Sequence, residues 1–480
     1  MPRCARRAPV VGALLACGLL LAACDSGSPG GPDGSGGASG VGDPYFPKAG
    51  NGGYDVSHYG LTLSYTPGDG VDGAPDGDRL SGTAVVTARA TEDLSAFDLD
   101  LVGMRVRDVT VEGVDAGFRR DGQELVVRPS EALAEGETFE VRVRYSGSPR
   151  TITDPDRSEE GWLPTEDGVL ALGEPTGSMA WFPGNHHPAD KASYDVAVTV
   201  PKGLTAVSNG ELRSERVTAD GRTTFSWHTA EPMPSHAAML AIGRYTVTRP
   251  AVDDGLSAYV AVDPSQEAAS RAVLARLPEV VHWAQDNFGP YPFSSVGAIV
   301  ERPGDAGYAL ETQNRPVFPG APDIETFVHE IAHQWFGNSV TPRSWRDMWL
   351  SEGLATYAEW VWTQDEGGAT AEEAFTELYE HGTDTYEDLW EFPPAKPTSA
   401  AYVSTVPVYQ RGAMVIHRVR QVLNDDDAFY DLLWGWAAAH RHGNADTDDF
   451  TAYVEKRAPD LDFDEVWSDW LYGEGRPPRP

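Results

Sequence analysis

The periodicity of the chain changes near Pro250, and that change limits the possible folds more than any other feature of the sequence. From Tyr54 to about Thr248, apolar and β-branched residues come in short runs separated by Gly, Asp and Pro. Leu61–Tyr65, Thr83–Ala88, Leu125–Val127, Phe139–Tyr145 and Tyr194–Val200 are examples. Such runs predict strands joined by turns, and helical spacing is nearly absent there. After Pro250, longer segments rich in Ala, Glu, Leu and Trp repeat at helical spacing: Gln266–Phe288, Ile324–Phe336, Ser351–Thr363, Ala371–Tyr379 and Ala413–Leu423. A mixed stretch, Val296–Val317, predicts some strand ahead of the second of these. The expected architecture is an all-β domain over 46–249, of sandwich or saddle type, followed by a mainly helical domain over 250–480.

The segment ahead of the β domain reads as an address. Arg3, Arg6 and Arg7 precede an apolar run, Val10–Ala23, that is too short for a transmembrane helix, so residues 1–23 are expected to be a signal peptide. The run ends Leu21-Ala22-Ala23-Cys24, which resembles the bacterial lipobox and makes Cys24 the expected lipid anchor. The tract that follows is almost entirely Gly, Ser, Asp, Pro and Ala, a composition that buries little apolar surface; residues 24–45 are expected to be a flexible tether. The expected place of the protein is the extracytoplasmic face of a bacterial cell membrane, as a lipoprotein held there or released. Cys4, Cys17 and Cys24 are the three cysteines of the chain, so no disulfide is expected in the fold. A chain of 480 residues, 41% of them hydrophobic, is large enough to do without one. The formal net charge of -36 argues against a nucleic-acid partner, because the summed field repels phosphate.

The chemistry is carried by His329-Glu330-Ile331-Ala332-His333, an H-E-x-x-H motif inside a helical pattern, with Pro322-Asp323 as a start signal and Gly337-Asn338 as a stop. Residues i and i+4 of a helix share one face, so both imidazoles reach a single cation. Glu330, next to the first histidine, can approach a metal-activated water without being a ligand. A second helical segment, Trp349–Tyr357, brings Glu352 at a spacing that suits a third ligand. Its apolar neighbours Trp349, Leu350 and Leu354 point to burial, and a buried carboxylate needs a partner. Two imidazoles and one carboxylate make an open zinc site with its fourth position left for water. Glu359, two turns further along, is placed to orient a ligating histidine.

Residues His329 to Tyr357 resemble the zinc signature of the gluzincin aminopeptidases, the family of aminopeptidase N. Gly307–Thr312 resembles the exopeptidase motif G-x-M-E-N of that family, with Glu311 at the position that binds the substrate amino group and with Leu310 and Thr312 where Met and Asn are usual. Val406–Ala413 resembles the segment whose tyrosine stabilises the oxyanion, here Tyr409, and Trp181–Ala192 resembles the end-of-strand segment of the β domain. Glu174 stands about where relatives contribute a polar residue to the amino-group site. The match runs from about Tyr54 to the C-terminus without the large C-terminal helical domain, which implies a more open cleft.

The resemblance implies a thermolysin-like catalytic domain, one Zn2+ per chain, and peptide substrates with a free N-terminus. The implied reaction removes N-terminal residues by attack of a zinc-activated water, with Glu330 as general base and Tyr409 stabilising the oxyanion. A zinc endopeptidase, another zinc hydrolase of the same fold, or a non-catalytic surface lipoprotein are the alternatives.

Overall fold

In Tyr54–Thr66 buried and exposed residues alternate, and Val56, Tyr59, Leu61, Leu63 and Tyr65 turn inward. The step from 56 to 59 breaks the period of two because a β-bulge lies between Val56 and His58, which returns the following residues to the core face. This strand is central to the computed structural model, which describes residues 35–68, 78–252 and 255–479. The signal segment, Cys24 and the tether up to residue 34 lie outside the described residues.

Tyr54–Thr66 belongs to an eight-stranded sheet with the order Glu211–Val217, Thr223–Pro234, Lys191–Val200, Tyr54–Thr66, Arg79–Ala90, Thr138–Gly147, Arg105–Val111 and Val114–Asp115. Its inner face shares one core with a four-stranded sheet that contains Leu94–Asp100 and Glu124–Arg128 and with a five-stranded sheet that contains Val169–Leu172 and Leu240–Gly243. Every residue of Val169–Leu172 is buried, as expected of a strand covered on both sides. The first half is thus the mostly β domain that the strand pattern predicts.

The described end of the expected tether is not free. Ser35–Gly36 pairs in parallel with Leu94–Asp100. Asp43 Oδ2 accepts from Ser344 Oγ at 2.8 Å and from Trp345 N at 3.1 Å, and Tyr45 Oη donates to the Pro397 carbonyl at 2.7 Å. Phe46 meets the Trp345 ring edge-on at 5.6 Å. Composition argued for a tether through residue 45; the buried Asp43 carboxylate and the Tyr45 hydroxyl decide otherwise for its last residues.

The second half opens with a four-stranded sheet of Thr246–Thr248, Ser257–Val262, Ser295–Val300 and Val317–Phe318. Thr246–Thr248 pairs with Ser257–Val262, so this sheet begins a few residues before Pro250. The helices follow: α1 (Glu267–Leu274), α2 (Leu277–Phe288), α3 (Ile324–Ala332), α4 (Trp349–Asp365), α5 (Ala371–Thr385), α6 (Gly412–Leu423), α7 (Asp426–Ala439) and α8 (Thr447–Arg457). The segment expected as one helix over 266–288 is two. Pro278 lacks an amide hydrogen and its ring clashes with the preceding turn, so it is tolerated only in the first turn of a new helix, α2.

Buried polar side chains tie the halves together where the site forms. Lys191 Nζ donates to the carbonyls of Asn338, Ser339 and Gly443 at 2.9, 3.0 and 3.3 Å. Asn209 Nδ2 donates to the Gln313 carbonyl at 2.7 Å, and Arg315, 1% exposed, donates to the carbonyls of Ser208, Gly210 and Tyr259. A buried guanidinium with its donors satisfied by carbonyls fixes the loop that carries Glu311.

Candidate active site

α3 starts where its sequence signal says: the Asp323 side chain accepts from Thr326 N at 2.8 Å and caps the helix. Phe327, Val328, Ile331 and Ala332 are fully buried, which fixes the rotation of the helix about its axis. His329 lies on the last turn and His333 at the C-cap, with the His333 amide bonded to the His329 carbonyl at 3.2 Å. The two Nε2 atoms stand 3.0 Å apart, and Glu352 Oε2, from the first turn of α4, lies 3.3 Å from one and 3.4 Å from the other. A tetrahedral site with zinc–nitrogen bonds of about 2.0–2.1 Å has ligand-to-ligand edges of about 3.3 Å. The three atoms already form one face of such a tetrahedron. Glu352 Oε2 is buried and has no protein partner beyond the two imidazole nitrogens of the cluster, which is what a cation-binding oxygen requires.

The outer nitrogens of both rings are held. His329 Nδ1 lies 2.6 Å from Glu359 Oε1; His333 Nδ1 lies 3.0 Å from both the Phe336 carbonyl and Ser351 Oγ. These acceptors keep the proton on Nδ1 and aim the Nε2 lone pairs inward. Ser351 was not marked by the sequence reading, although it precedes Glu352.

The field at the centre favours a cation. Burial opposes charge on both imidazoles, yet Glu352 and its neighbours hold His329 well above the ordinary histidine range and His333 at about 9. Burial would raise Glu352, but the two imidazoles draw it down to about 2. A divalent ion replaces those two protons without changing the balance of charge. The donor set and the geometry fit one zinc ion.

Around this cluster the structure brings together the other expected residues. Burial, opposed by His329, pushes Glu330 up to about 8, and its Oε2 has no protein partner. Glu311 Oε1 is 3.8 Å from His333 Nδ1, and its own carbonyl accepts from Asn338 Nδ2 at 2.6 Å, so the stop signal of α3 also places Glu311. Carboxylate oxygens of Glu174, Glu311 and Glu352 all lie within 4.8 Å of one another. Burial and this crowding raise the first two, and a cation among them relieves the repulsion. Leu310, 4% exposed, lines the adjoining cavity, whereas the Thr312 hydroxyl is taken up by the Arg315 carbonyl at 2.6 Å and serves the turn.

Tyr409 sits on a π-helical turn, Pro407–Arg411, that leads into α6. Its ring stacks on His329 with centroids 6.0 Å apart and planes 7° from parallel. The turn comes this close because Gly353 and Gly412 face each other: a Cβ on Gly353 would stand 2.8 Å from the Gly412 carbonyl carbon. Glycine inside a helix costs about 1 kcal/mol against alanine, and here it admits the turn that carries Tyr409 beside Glu352. Burial and the surrounding carboxylates raise the Tyr409 hydroxyl well above its ordinary value, so it stays a donor.

The cavity next to the cluster measures about 210 Å³ and is lined by Glu174, Glu311, Glu352 and Tyr409, and also by Phe46, Asp154 and Asp156, which the sequence reading did not single out. Phe46 carried one signal, being next to the first aromatic residue after the Gly-rich tract; Asp154 and Asp156 lie in an acid-rich turn with nothing to mark them.

Family models for the peptidase family M1 domain and the peptidase M1 N-terminal domain match residues 321–470 and 56–236. Human aminopeptidase B is 25% identical over 83% of this chain and 66% of its own length; mouse aminopeptidase B is 26% identical over 64% and 50%. The chain therefore spans between half and two thirds of the length of these curated relatives. Among solved structures, the M1 zinc metallopeptidase from Deinococcus radiodurans aligns with a TM-score of 0.80 at 30% identity, covering 92% of this chain and 98% of that one. A mutant of that protein bound to a Tyr-Ser-Ala substrate aligns with a TM-score of 0.82 at 29% identity, over 92% and 99%.

Proposed function

Since the chain belongs to the peptidase M1 family, we propose that it is a zinc aminopeptidase which removes single residues from the free N-terminus of peptides. The observation that carries this reading is the placement of Glu174 and Glu311 within 4.8 Å of the ligand Glu352. An ammonium suits Glu174 and Glu311 converging beside the metal ligand Glu352, and its position next to the metal ligands measures one residue from the substrate terminus.

His329, His333 and Glu352 hold the zinc. When bound, zinc supplies a Lewis acid that activates water near neutral pH and polarises the scissile carbonyl. Glu330 Oε2, buried and unpartnered, takes the proton from the attacking water and passes it to the leaving amine. Tyr409 Oη donates to the oxygen on which negative charge develops. Glu359 and Ser351 keep the two rings in the orientation this geometry needs.

Hydrolysis of fluorogenic aminoacyl amides with free and N-acetylated termini, with and without a chelator, tests the reading. The free form is expected to be the better substrate and the chelator to abolish its turnover. Glu311→Ala is expected to narrow the preference for the free terminus by at least about tenfold, since it leaves the ammonium short of a buried charged partner. Equal rates on both forms in the parent protein would instead mark an endopeptidase.

The sequence alone carries the proposed location, a lipoprotein anchored through Cys24. Cys24→Ser is expected to shift the exported protein from the detergent-rich to the aqueous phase on detergent partitioning, and an unaltered distribution would dismiss the anchor.

A further inference from the structure

Five carboxylates line the cavity beside the metal cluster: Asp154, Asp156, Glu174, Glu311 and Glu352. Among the described residues that line it there is no lysine, arginine or histidine. The metal takes Glu352, and the substrate ammonium takes Glu174 and Glu311. Asp154 and Asp156 are left without a cation, and neither belongs to the carboxylates that converge on the metal ligands.

Asp154 is a built feature of the cavity. It is 8% exposed, and its Oδ2 meets no hydrogen-bond partner. Glu160, 0% exposed, hydrogen-bonds to it and is itself held by Thr176, whose amide and hydroxyl donate to it at 3.0 and 2.9 Å. A carboxylate oxygen in that setting is costly unless a donor reaches it. Tyr308 and Leu310 add apolar wall to the same cavity. Its volume, about 210 Å³, is below the roughly 300–1,000 Å³ of drug-sized sites and suits one residue rather than a run of peptide.

Building on the aminopeptidase reading, we propose that this cavity selects peptides whose first residue is lysine or arginine, with the methylene stem along Tyr308 and Leu310 and the cationic head at Asp154 and Asp156. Long basic side chains bury their stems on apolar surface and keep the charge at the far end, which is the distribution this cavity offers. A neutral side chain of equal length brings no charge to the desolvated Asp154 carboxyl, and an acidic one meets two like charges. Burial, with Asp156 beside it, pushes the Asp154 carboxyl up to about 7, and a cation lodged there draws it back to the charged form.

The test uses the zinc-loaded full chain and pairs of fluorogenic amides that differ in charge but little in shape: arginine against citrulline, lysine against norleucine. In each pair the charged member is expected to have the higher kcat/KM by at least about tenfold, the scale of a buried charge-assisted hydrogen bond. Asp154→Asn and Asp156→Asn are each expected to shrink that ratio several-fold. Because the ratio is taken within one protein, a general loss of folded enzyme cancels. Ratios near one in an enzyme that hydrolyses both members overturn the selectivity and leave the aminopeptidase reading standing. A tenfold ratio that survives in both variants overturns the assignment to these two residues. Failure to hydrolyse any amide with a free amino group removes the aminopeptidase reading and this proposal with it.

Discussion

Replacing Glu330 by Gln is expected to leave one zinc per chain while kcat on a good aminoacyl amide falls by roughly 10²–10⁴-fold, the usual range for removal of a general base. Gln keeps the shape of Glu but cannot accept and release a proton. The metal ligands His329, His333 and Glu352 are untouched, and their geometry does not depend on the Glu330 carboxyl. Stability should not suffer, because burial raises the Glu330 pKa and Glu311 and Glu352 press on it with like charge; a neutral amide relieves both. Metal content measured by mass spectrometry and steady-state kinetics decide the matter together. Turnover within tenfold of the parent, with zinc retained, would take the proton-transfer role away from Glu330.

Tyr409→Phe is expected to lower kcat by about 10²–10³-fold, the scale of losing one oxyanion donor, with KM little changed. The substitution keeps the ring that stacks on His329 and removes only the hydroxyl, so the metal site stays as it is. The interaction lost is one that strengthens as charge develops on the oxygen, which is why it shows in kcat. The tyrosine holds its proton far above neutral pH, so the defect should not be repaired anywhere between pH 6 and 9, a window of roughly neutral assays well below an ordinary tyrosine pKa of about 10. A rise in KM at constant kcat would place Tyr409 in ground-state binding instead.

Local patterns were the most readable part of the chain. Alternation over Leu61–Tyr65 and Tyr194–Val200 reported strands because a residue period is a property of the strand itself. The cap at Asp323 and the i, i+4 histidines were equally visible, since a helix sets those distances without help from the rest of the protein. Other features needed context. The bulge near Ser57 has no signature in composition, and the break at Pro278 was hidden under an amphipathic pattern that continued on both sides. Residues 43–45 looked like the end of a flexible tract, yet Asp43 finds Ser344 and Trp345, about three hundred positions away in sequence.

By itself, the sequence determined which side chains can ligate a metal, that two of them share a helix face, and that strands precede helices. Each of these follows from residue chemistry or from the repeat of a single element. Only the tertiary structure decided that Glu174, Glu311 and Glu352 meet within 4.8 Å, that Asp154 faces the same cavity, and that Tyr409 lies over His329. Those meetings depend on how elements pack: on Gly353 against Gly412, on Lys191 reaching the loop after α3, and on Arg315 buried among carbonyls. Packing contacts join residues far apart in the chain, and no repeat along the sequence encodes the distance between them.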